Sequence, residues 1–466
     1  MPEKYHIKTQ PVPPRRPRIG KHGVVDWRED CARCHNCVKK ACVYDRYRQE
    51  SEYIRNLSDV DALFFDCMGC FSCVQDCTKG LLCLSLNPVY EKLGNSYWKP
   101  DIIKTTWLQA ETAKIPVSGA GYRGPFSGHG FDSMWTDMSE IVRPTRDGIH
   151  GREYISTSVD IGRKSSFLVL GADDGVAENL PPLVSIPMPL IIDLTSPLHT
   201  LPQIDAIIEQ TAVNTDLIAI MDSRHQPIDN ANLTNIAFYL GPDSPPVPEA
   251  MLRKTRLVEI ADNGMVKERI KELKKIHPSI VIAIRVELSA AGMARAIELA
   301  GMEEVEVIHV VADPNGNEIG AQKPRFVKDM VRHIHTTLVE SGVRDEVTLM
   351  VGGGIALPEH MAKAIICGAD LITVNLPLLI ALECQLCESC KPGMPCPAKL
   401  EKIDFEFGVN RMTNLIAAWH DQLIEVMGAM GMREVRRLRG DVGRAMFFEN
   451  LEEETFGKLF GTRKRA

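Results

Sequence analysis

Residues 346–375 read EVTLMVGGGIALPEHMAKAIICGADLITVN. An apolar, strand-like run at 346–351 ends in Gly352, Gly353 and Gly354. A helical stretch, EHMAKAIICG, follows, and then a second apolar run at 370–375. Strand runs that are apolar throughout point to a parallel sheet covered on both faces. The same alternation recurs toward the N-terminus. The strand candidates there are PLIIDL (189–194), DLIAIM (216–221), IAFYL (236–240), RLVEI (256–260), IVIAIRVE (280–287) and VEVIHVV (305–311). Helical patterns such as IDAIIEQTA, VKERIKELKKI, AAGMARAIELA and RFVKDMVRHIHTTLVES separate most of them. Eight strands alternating with helices predict an α/β fold, a (β/α)8 TIM barrel. The alternative is an open doubly wound sheet, because the second and third strands carry the weakest pattern.

The chain has 466 residues, 44% apolar and 25% charged, within the normal range for a globular protein with a large core. Its 54 Lys and Arg against 61 Asp and Glu give a net charge of -7, which argues against a nucleic-acid binder. The first residues, MPEKYHIKTQPVPPRRPRIGK, are basic and proline-rich and lack the apolar region of a secretory signal. No apolar run approaches the roughly 18 residues of a membrane span. A cytoplasmic location is expected.

The 14 cysteines are clustered: nine fall between residues 31 and 83, one is Cys367, and four fall between 384 and 396. The first run, CARCHNCVKKAC, holds Cys31, Cys34, Cys37 and Cys42. The second, CMGCFSCVQDC, holds Cys67, Cys70, Cys73 and Cys77. C-x-x-C-x-x-C lets three thiolates converge on three corners of a [4Fe–4S] cube, and in two-cluster ferredoxins the fourth cysteine of each run serves the other cluster. One cluster is therefore expected on Cys31, Cys34, Cys37 and Cys77, the other on Cys67, Cys70, Cys73 and Cys42. Zinc is the alternative, but it usually shows paired C-x-x-C units. The first run departs from the usual ferredoxin form, with four residues rather than three before Cys42 and no proline after it. The third run, CQLCESCKPGMPCP, offers Cys384, Cys387, Cys390 and Cys396 for a third [4Fe–4S] cluster, again with zinc as the alternative. Cys83 and Cys367 read as small buried hydrophobes, with a substitute cluster ligand as the alternative for Cys83.

The organisation that follows is an extended basic, proline-rich arm at 1–24 and a ferredoxin-like two-cluster module at 25–95. A connector at 96–184 wraps the barrel, which occupies 185–400. A helical segment, 401–466, closes the chain. Barrel active sites lie at the C-terminal ends of the strands, so the third cluster should sit beside the barrel mouth.

The stretch from 346 through CQLCESCKPGMPCP resembles the FMN-binding synthase domain of the glutamate synthase large subunit, above all the archaeal-type form with an N-terminal ferredoxin module. So do PDIIKTTWLQAETAKIPVSGAGYRG, HIHTTLVESGVRDEVTLMVGGG and GVNRMTNLIAAWHDQLIEVMGAMGMREVRRLRG. The resemblance covers roughly residues 25–450. Amidotransferase and glycine-rich β-helix segments are not found, nor is an N-terminal cysteine to hydrolyse glutamine. Several family motifs differ here. PMPLIIDLTSP stands where Met-Ser-Phe-Gly covers the flavin, and no Gly-Glu-Gly-Gly segment is present. Arg285 replaces the lysine of the middle strand. HVVADPNGNEIGA keeps little of the His-Asp-Gly-Gly-Thr-Gly loop, and VNLPLL replaces the glycine-rich end of the eighth strand. The 2-oxoglutarate site of the family is thus not reproduced.

The resemblance implies FMN at the barrel mouth. Gly352, Gly353 and Gly354, with Gly368, would hold its phosphate through backbone N–H groups at a helix N-terminus. The plain alternative is a tight turn that needs glycine φ values. Arg285 would place positive charge near the flavin N1–O2 edge, or else form a salt bridge, with Glu287 or Asp313 the partners considered. His309, Asp313 and Asn315 could line a pocket at another strand end. No catalytic residue is assigned. GAGYRG at 119–124 matches a dinucleotide fingerprint only by letter, since no strand precedes it. His129, His150, His225, His333 and His335 form no metal spacing with acidic partners and read as mostly surface or helix-face residues. The RRPR of the arm, with Arg15, Arg16 and Arg18, could dock an acidic partner subunit. The sequence thus predicts an iron–sulfur flavoprotein oxidoreductase working with a redox partner protein or within a larger electron-transfer complex. Two alternatives stand beside it: a flavin-less electron-transfer subunit and a ferredoxin-dependent glutamate synthase.

Overall fold

The computed structural model describes residues 5–16, 19–26, 34, 43, 70–115, 130–136, 154–165, 167, 180–193, 195, 201–387 and 396–461. All eight expected strands form, and the sheet closes, so the doubly wound alternative fails. The strands are β1 (Leu190–Asp193), β2 (Ala219–Asp222), β3 (Ile236–Leu240), β4 (Leu257–Ala261), β5 (Val281–Glu287), β6 (Val307–Val311), β7 (Thr348–Gly352) and β8 (Leu371–Val374). They pair in parallel around the closed order β5-β6-β7-β8-β1-β2-β3-β4. Leu190–Asp193 and Leu371–Val374 are buried at every position, as strands covered by helices outside and by one another inside must be.

The covering helices are α1 (Pro202–Asn214), α2 (Val266–Ile276), α3 (Ala290–Ala300), α4 (Val327–Glu340) and α5 (Pro358–Ile366). In α2 the buried side chains are Val266, Ile270 and Leu273, one stripe at helical spacing under a lysine-rich outer face. Every residue of α5 is buried. A strap lies over this region: Lys363 donates to the Phe131 carbonyl at 2.8 Å and Lys328 donates to Ser133 Oγ. Two barrel units are abbreviated. A 3-10 turn (Asn230–Asn235) follows β2, and a single helical turn (Glu249–Leu252) follows β3. That is why the helical pattern fades there.

The N-terminal end of the barrel is plugged from the connector. Val159–Ile161 pairs with Val184–Ile186, and the Thr348 hydroxyl at the start of β7 donates to the Gly162 carbonyl at 2.8 Å. Arg163 donates to the carbonyls of Met302 (2.7 Å) and Val305 (3.0 Å) ahead of β6 and pairs with Glu346 ahead of β7. After β8 come α6 (Leu376–Ala381) and the long α7 (Phe405–Ala429). Among the described residues no helix is long and apolar enough to cross a membrane.

By compactness the chain divides into two units. One comprises 1–12, 105–384 and 395–466; the other comprises 13–104 and 385–394. In the second, His22–Asp26 pairs antiparallel with Leu82–Leu86. Cys83 lies on that strand and is exposed, which corrects the expectation of a buried hydrophobe. Cys367 is fully buried, as expected.

Residues 5–12 are docked onto the barrel unit. Tyr5 donates to the Thr215 carbonyl at 2.5 Å and stacks edge-on against His420. Arg411 of α7 is 1% exposed and donates to the carbonyls of Ala381 (2.6 Å), Val12 (3.3 Å) and Trp107 (3.4 Å). A buried acceptor left without its donor costs its full desolvation. Arg411→Ala should therefore lower stability by about 3 kcal/mol or more, read as a shift in the urea midpoint. It should also speed tryptic cleavage at the exposed Lys8.

Candidate functional site

Polar side chains from opposite walls of the barrel meet at its C-terminal end. Strands β1 and β5 lie four places apart in the closed order, so a contact between them crosses the lumen. Arg285 of β5 makes that crossing. Its Nη2 stands 2.9 Å from Asp193 Oδ2 at the end of β1 and 2.6 Å from Glu259 Oε2 on β4. Its Nε donates to the same Glu259 oxygen at 2.9 Å, and Nη1 donates to Thr195 Oγ1. The guanidinium lies over the Tyr239 ring of β3, 4.8 Å from its centre. The other Glu259 oxygen meets Nδ1 of His309 on β6, and His309 Nε2 lies 3.0 Å from Thr373 Oγ1 on β8. Glu259 and His309 are fully buried.

Burial alone would push the Asp193 carboxyl upward. The charges of Arg285 and His309 outweigh it and hold Asp193 below the ordinary carboxylate value. Burial likewise disfavours a charged Arg285, and Glu259 with Asp193 override that and hold the guanidinium charged. Arg285 thus forms a salt bridge, with partners different from Glu287 and Asp313. Glu287 is exposed at the strand end, and Asp313 caps its own turn, Oδ1 accepting from the amides of Asn315 (2.9 Å) and Asn317 (2.7 Å). His309 belongs to the buried network. Asp313 and Asn315 do not.

Gly352, Gly353 and Gly354 follow β7 at the same end of the barrel. A Cβ on Gly352 would stand 2.4 Å from Thr373 Oγ1, so glycine lets β7 close over the His309–Thr373 pair. Gly353 has φ +91 and Gly354 φ +68. A Cβ on Gly353 would lie 2.6 Å from the Ala312 carbonyl, so this turn also needs glycine for the close approach of the next loop. Ahead of α5, the Ala356 amide donates to Nδ1 of His360 at 3.2 Å. Burial drives that imidazole well below its usual value and keeps it neutral. The Gly353 and Ile355 amides make none of the described hydrogen bonds. Two N–H groups beside a helix N-terminus suit a phosphate. Gly368 is not with them. It precedes β8, at the opposite end of the barrel, where φ is +119 and a Cβ would lie 2.3 Å from His335.

The cysteine runs are described in part. Cys31, Cys37, Cys42, Cys67 and Cys390 lie outside the described residues, as do GAGYRG, Arg18, His129 and His150. Cys34 Sγ stands 3.9 Å from Thr78 Oγ1, beside Cys77. Cys77 Sγ accepts the Leu81 amide at 3.2 Å. The Ser72 hydroxyl, the Ser72 amide and the Val43 amide all favour the thiolate of Cys70 and hold its thiol below the ordinary value. Val43 directly follows Cys42. Cys384 is buried just past α6, and Cys387 and Cys396 are half-buried. Among the described residues no group of three or more His, Cys, Asp or Glu converges on one metal position.

Asp193, Glu259, Thr373, Thr195 and Tyr239 were not singled out from the sequence. A signal was available for one: Glu259 is a lone charge inside the apolar run LVEIA. His225, expected at the surface, is buried with Nε2 2.9 Å from Glu209 Oε2. Burial raises the Glu209 carboxyl less than His225, Asn232 and the Ile228 amide lower it.

Residues 249–433 match a family model described as the conserved region in glutamate synthase. The chain is also similar to an archaeal-type glutamate synthase [NADPH] of Dehalococcoides mccartyi, at 24% identity over 90% of this chain and 93% of that one. A Thermotoga maritima protein of the same description is 24% identical over 88% and 91%. An archaeal glutamate synthase [NADPH] of Archaeoglobus fulgidus is 22% identical over 93% and 96%. The matched region holds Glu259, Arg285, His309, Thr373 and the glycine turn, whereas Asp193 lies before it.

Removing one member of a buried ion set strands its partners, while replacing the whole set by apolar groups can be neutral. Arg285→Met should cost about 3–5 kcal/mol. Replacing Arg285, Asp193 and Glu259 together by apolar residues of similar volume should recover most of it, read by urea unfolding. Because the folded Asp193 value is depressed, its contribution is present above about pH 4 and lost on further acidification. Asp193→Asn should flatten that acid limb.

Proposed function

For a chain that is glutamate synthase-like, we propose an iron–sulfur flavoprotein oxidoreductase that passes electrons between [4Fe–4S] clusters and FMN, within a complex of redox partner subunits. One observation supports the iron–sulfur part above all. Cys34 of the first run lies against the residue next to the fourth cysteine of the second, its Sγ 3.9 Å from Thr78 Oγ1 beside Cys77. Such a contact accords with the exchange of fourth ligands that two-cluster ferredoxins use. The Leu81 amide that donates to Cys77 Sγ suits sulfur that carries negative charge. Cys31, Cys34, Cys37 and Cys77 would hold one cluster, Cys67, Cys70, Cys73 and Cys42 the second, and Cys384, Cys387, Cys390 and Cys396 the third.

The glycine turn suits the phosphate end of FMN. The amides of Gly353 and Ile355 would donate to it, with Gly352 and Gly354 shaping the turn and the α5 N-terminus behind it. FMN, when bound, supplies the exchange between one-electron and two-electron chemistry. The network around Arg285 gives the barrel floor fixed, paired charges, with Glu259 and His309 fully buried. A cytoplasmic location accords with this chemistry.

A specific observation favours a second reading, a flavin-less electron-transfer subunit. Asp193 and Glu259 already match the guanidinium that would face a reduced flavin. Glutamate synthesis itself is the least supported, since the 2-oxoglutarate motifs are absent. Chain isolated without oxygen should carry about twelve irons from three [4Fe–4S] clusters and release FMN at near one per chain on acid extraction. Full iron with no FMN would select the second reading. Colourless protein loaded with zinc would overturn both. Glutamate formation from ammonia and 2-oxoglutarate with a reduced ferredoxin should be nil.

A further inference from the structure

The loop that ends β7 is held from behind by a histidine. Helical side chains lean toward the N-terminus of their own helix, so a residue in the first turn of α5 covers the loop ahead of it. His360 is that residue, third in Pro358–Ile366. The Ala356 amide donates to its Nδ1 at 3.2 Å, which puts the ring proton on Nε2. His360 is 3% exposed, and burial keeps the ring neutral. Its Nε2 is buried too and makes no hydrogen bond with any described residue.

The ring is fixed on its other sides. It lies on Phe131 with 4.8 Å between centres, and Phe131 meets Phe326 edge-on at 5.2 Å. Lys363, one turn along α5, holds the Phe131 carbonyl at 2.8 Å. Phe326 packs against Gly130 and Gly316, where a Cβ would stand 2.7 Å and 2.6 Å from its ring. Gly316 in turn backs onto Gly354, on which a Cβ would lie 2.4 Å from the Gly316 Cα. Gly354 and Ala356 are thus both clamped. Ile355 hangs between them, and its amide makes none of the described hydrogen bonds.

The helix itself offers few donors at this end. Pro358, its first residue, has no N–H, and the His360 amide is taken by the Leu357 carbonyl at 3.0 Å. An anion here leans on the loop amides of Gly353 and Ile355, and so on whatever sets their direction. A buried N–H without an acceptor is also unfavourable unless negative charge lies near it. The Nε2–H of His360 is such a donor behind the loop.

We propose that His360 is a positioning residue for a phosphate group bound at this loop. By taking the Ala356 amide it fixes the adjoining Ile355, so that the Ile355 and Gly353 amides are directed at one anion. This rests on the FMN reading above and adds to it the residue that gives the loop its preference for the phosphorylated flavin. The imidazole acts through the loop, as a neutral group, and the phosphate is held by main-chain donors.

The test uses the full chain, prepared without oxygen and freed of flavin in concentrated bromide, with FMN and riboflavin as the probes. Both are titrated by flavin fluorescence, and the readout is the ratio of the two dissociation constants, since riboflavin lacks only the phosphate. His360→Phe keeps a ring against Phe131 but offers the Ala356 amide no acceptor. It should cut the preference for FMN about tenfold, the weight of a hydrogen bond or so, and leave riboflavin affinity unchanged. His360→Asn, whose Oδ1 can stand where Nδ1 stood, should restore most of the preference. Unfolding in urea is followed in parallel, because a merely structural residue would move the midpoint without moving the ratio. An unchanged ratio in His360→Phe would overturn the proposal. So would equal weakening of both flavins, or an Asn variant that recovers the urea midpoint but not the ratio. Wild-type chain that binds neither flavin would instead remove the FMN reading itself, and the proposal with it.

Discussion

A guanidinium stretched across a barrel is the constraint on which the mouth of this protein depends. Arg285 reaches from β5 to Asp193 on the facing strand β1, and takes Glu259 of β4 on the way. Glu259 passes the connection to His309 on β6, and His309 to Thr373 on β8. Five of the eight strands are tied by polar contacts in an otherwise apolar lumen. No member can be dropped singly, because each buried charge is stable only while its counter-charge is present. Glu287, at the end of β5, lies outside this set and is exposed.

The other end of the barrel is closed by different means. Gly162 and Arg163 of the connector satisfy the groups that begin β6 and β7, and Arg344 at the start of the α4–β7 loop donates to the Val347 and Gly368 carbonyls and to Asp370. Most of these contacts end on backbone carbonyls, with Asp370 and Glu346 the side-chain acceptors. The C-terminal end instead joins its charges side chain to side chain, and in barrels of this kind that is the end that carries chemistry.

How far the sequence could be read follows from which signals are local. The eight strands were legible because a parallel strand must be apolar along its whole length, and PLIIDL or EVTLMV can satisfy nothing else. The helices after β2 and β3 were not legible because no full-length helix is there: Asn230–Asn235 is a short 3-10 segment and Glu249–Leu252 a single turn. Gly352–Gly354 were correctly placed at a strand end. Gly368 was grouped with them although it precedes β8, and strand polarity alone sends it to the far face. The partners of Arg285 were missed for a different reason. Asp193 and Glu259 are 92 and 26 residues away in sequence, and only barrel closure brings them within 2.9 Å and 2.6 Å. Contacts across a lumen leave no spacing to read.

That missed pairing changes what the mouth can do. The resemblance supplies a scaffold in which a cation on the middle strand is available to a reduced flavin. Here the cation is present, as arginine, but two carboxylates hold it. An arginine makes this possible where a lysine would not, because a planar fork can serve Glu259 through Nε and Nη2 and still reach Asp193 and Thr195. The substitution and the two acids are therefore one change. Either the floor no longer serves a flavin, or it serves one whose reduction is not helped by a free positive charge. In both cases the charge of Arg285 is spent on Asp193 and Glu259 and does not stand as a free cation at the barrel mouth.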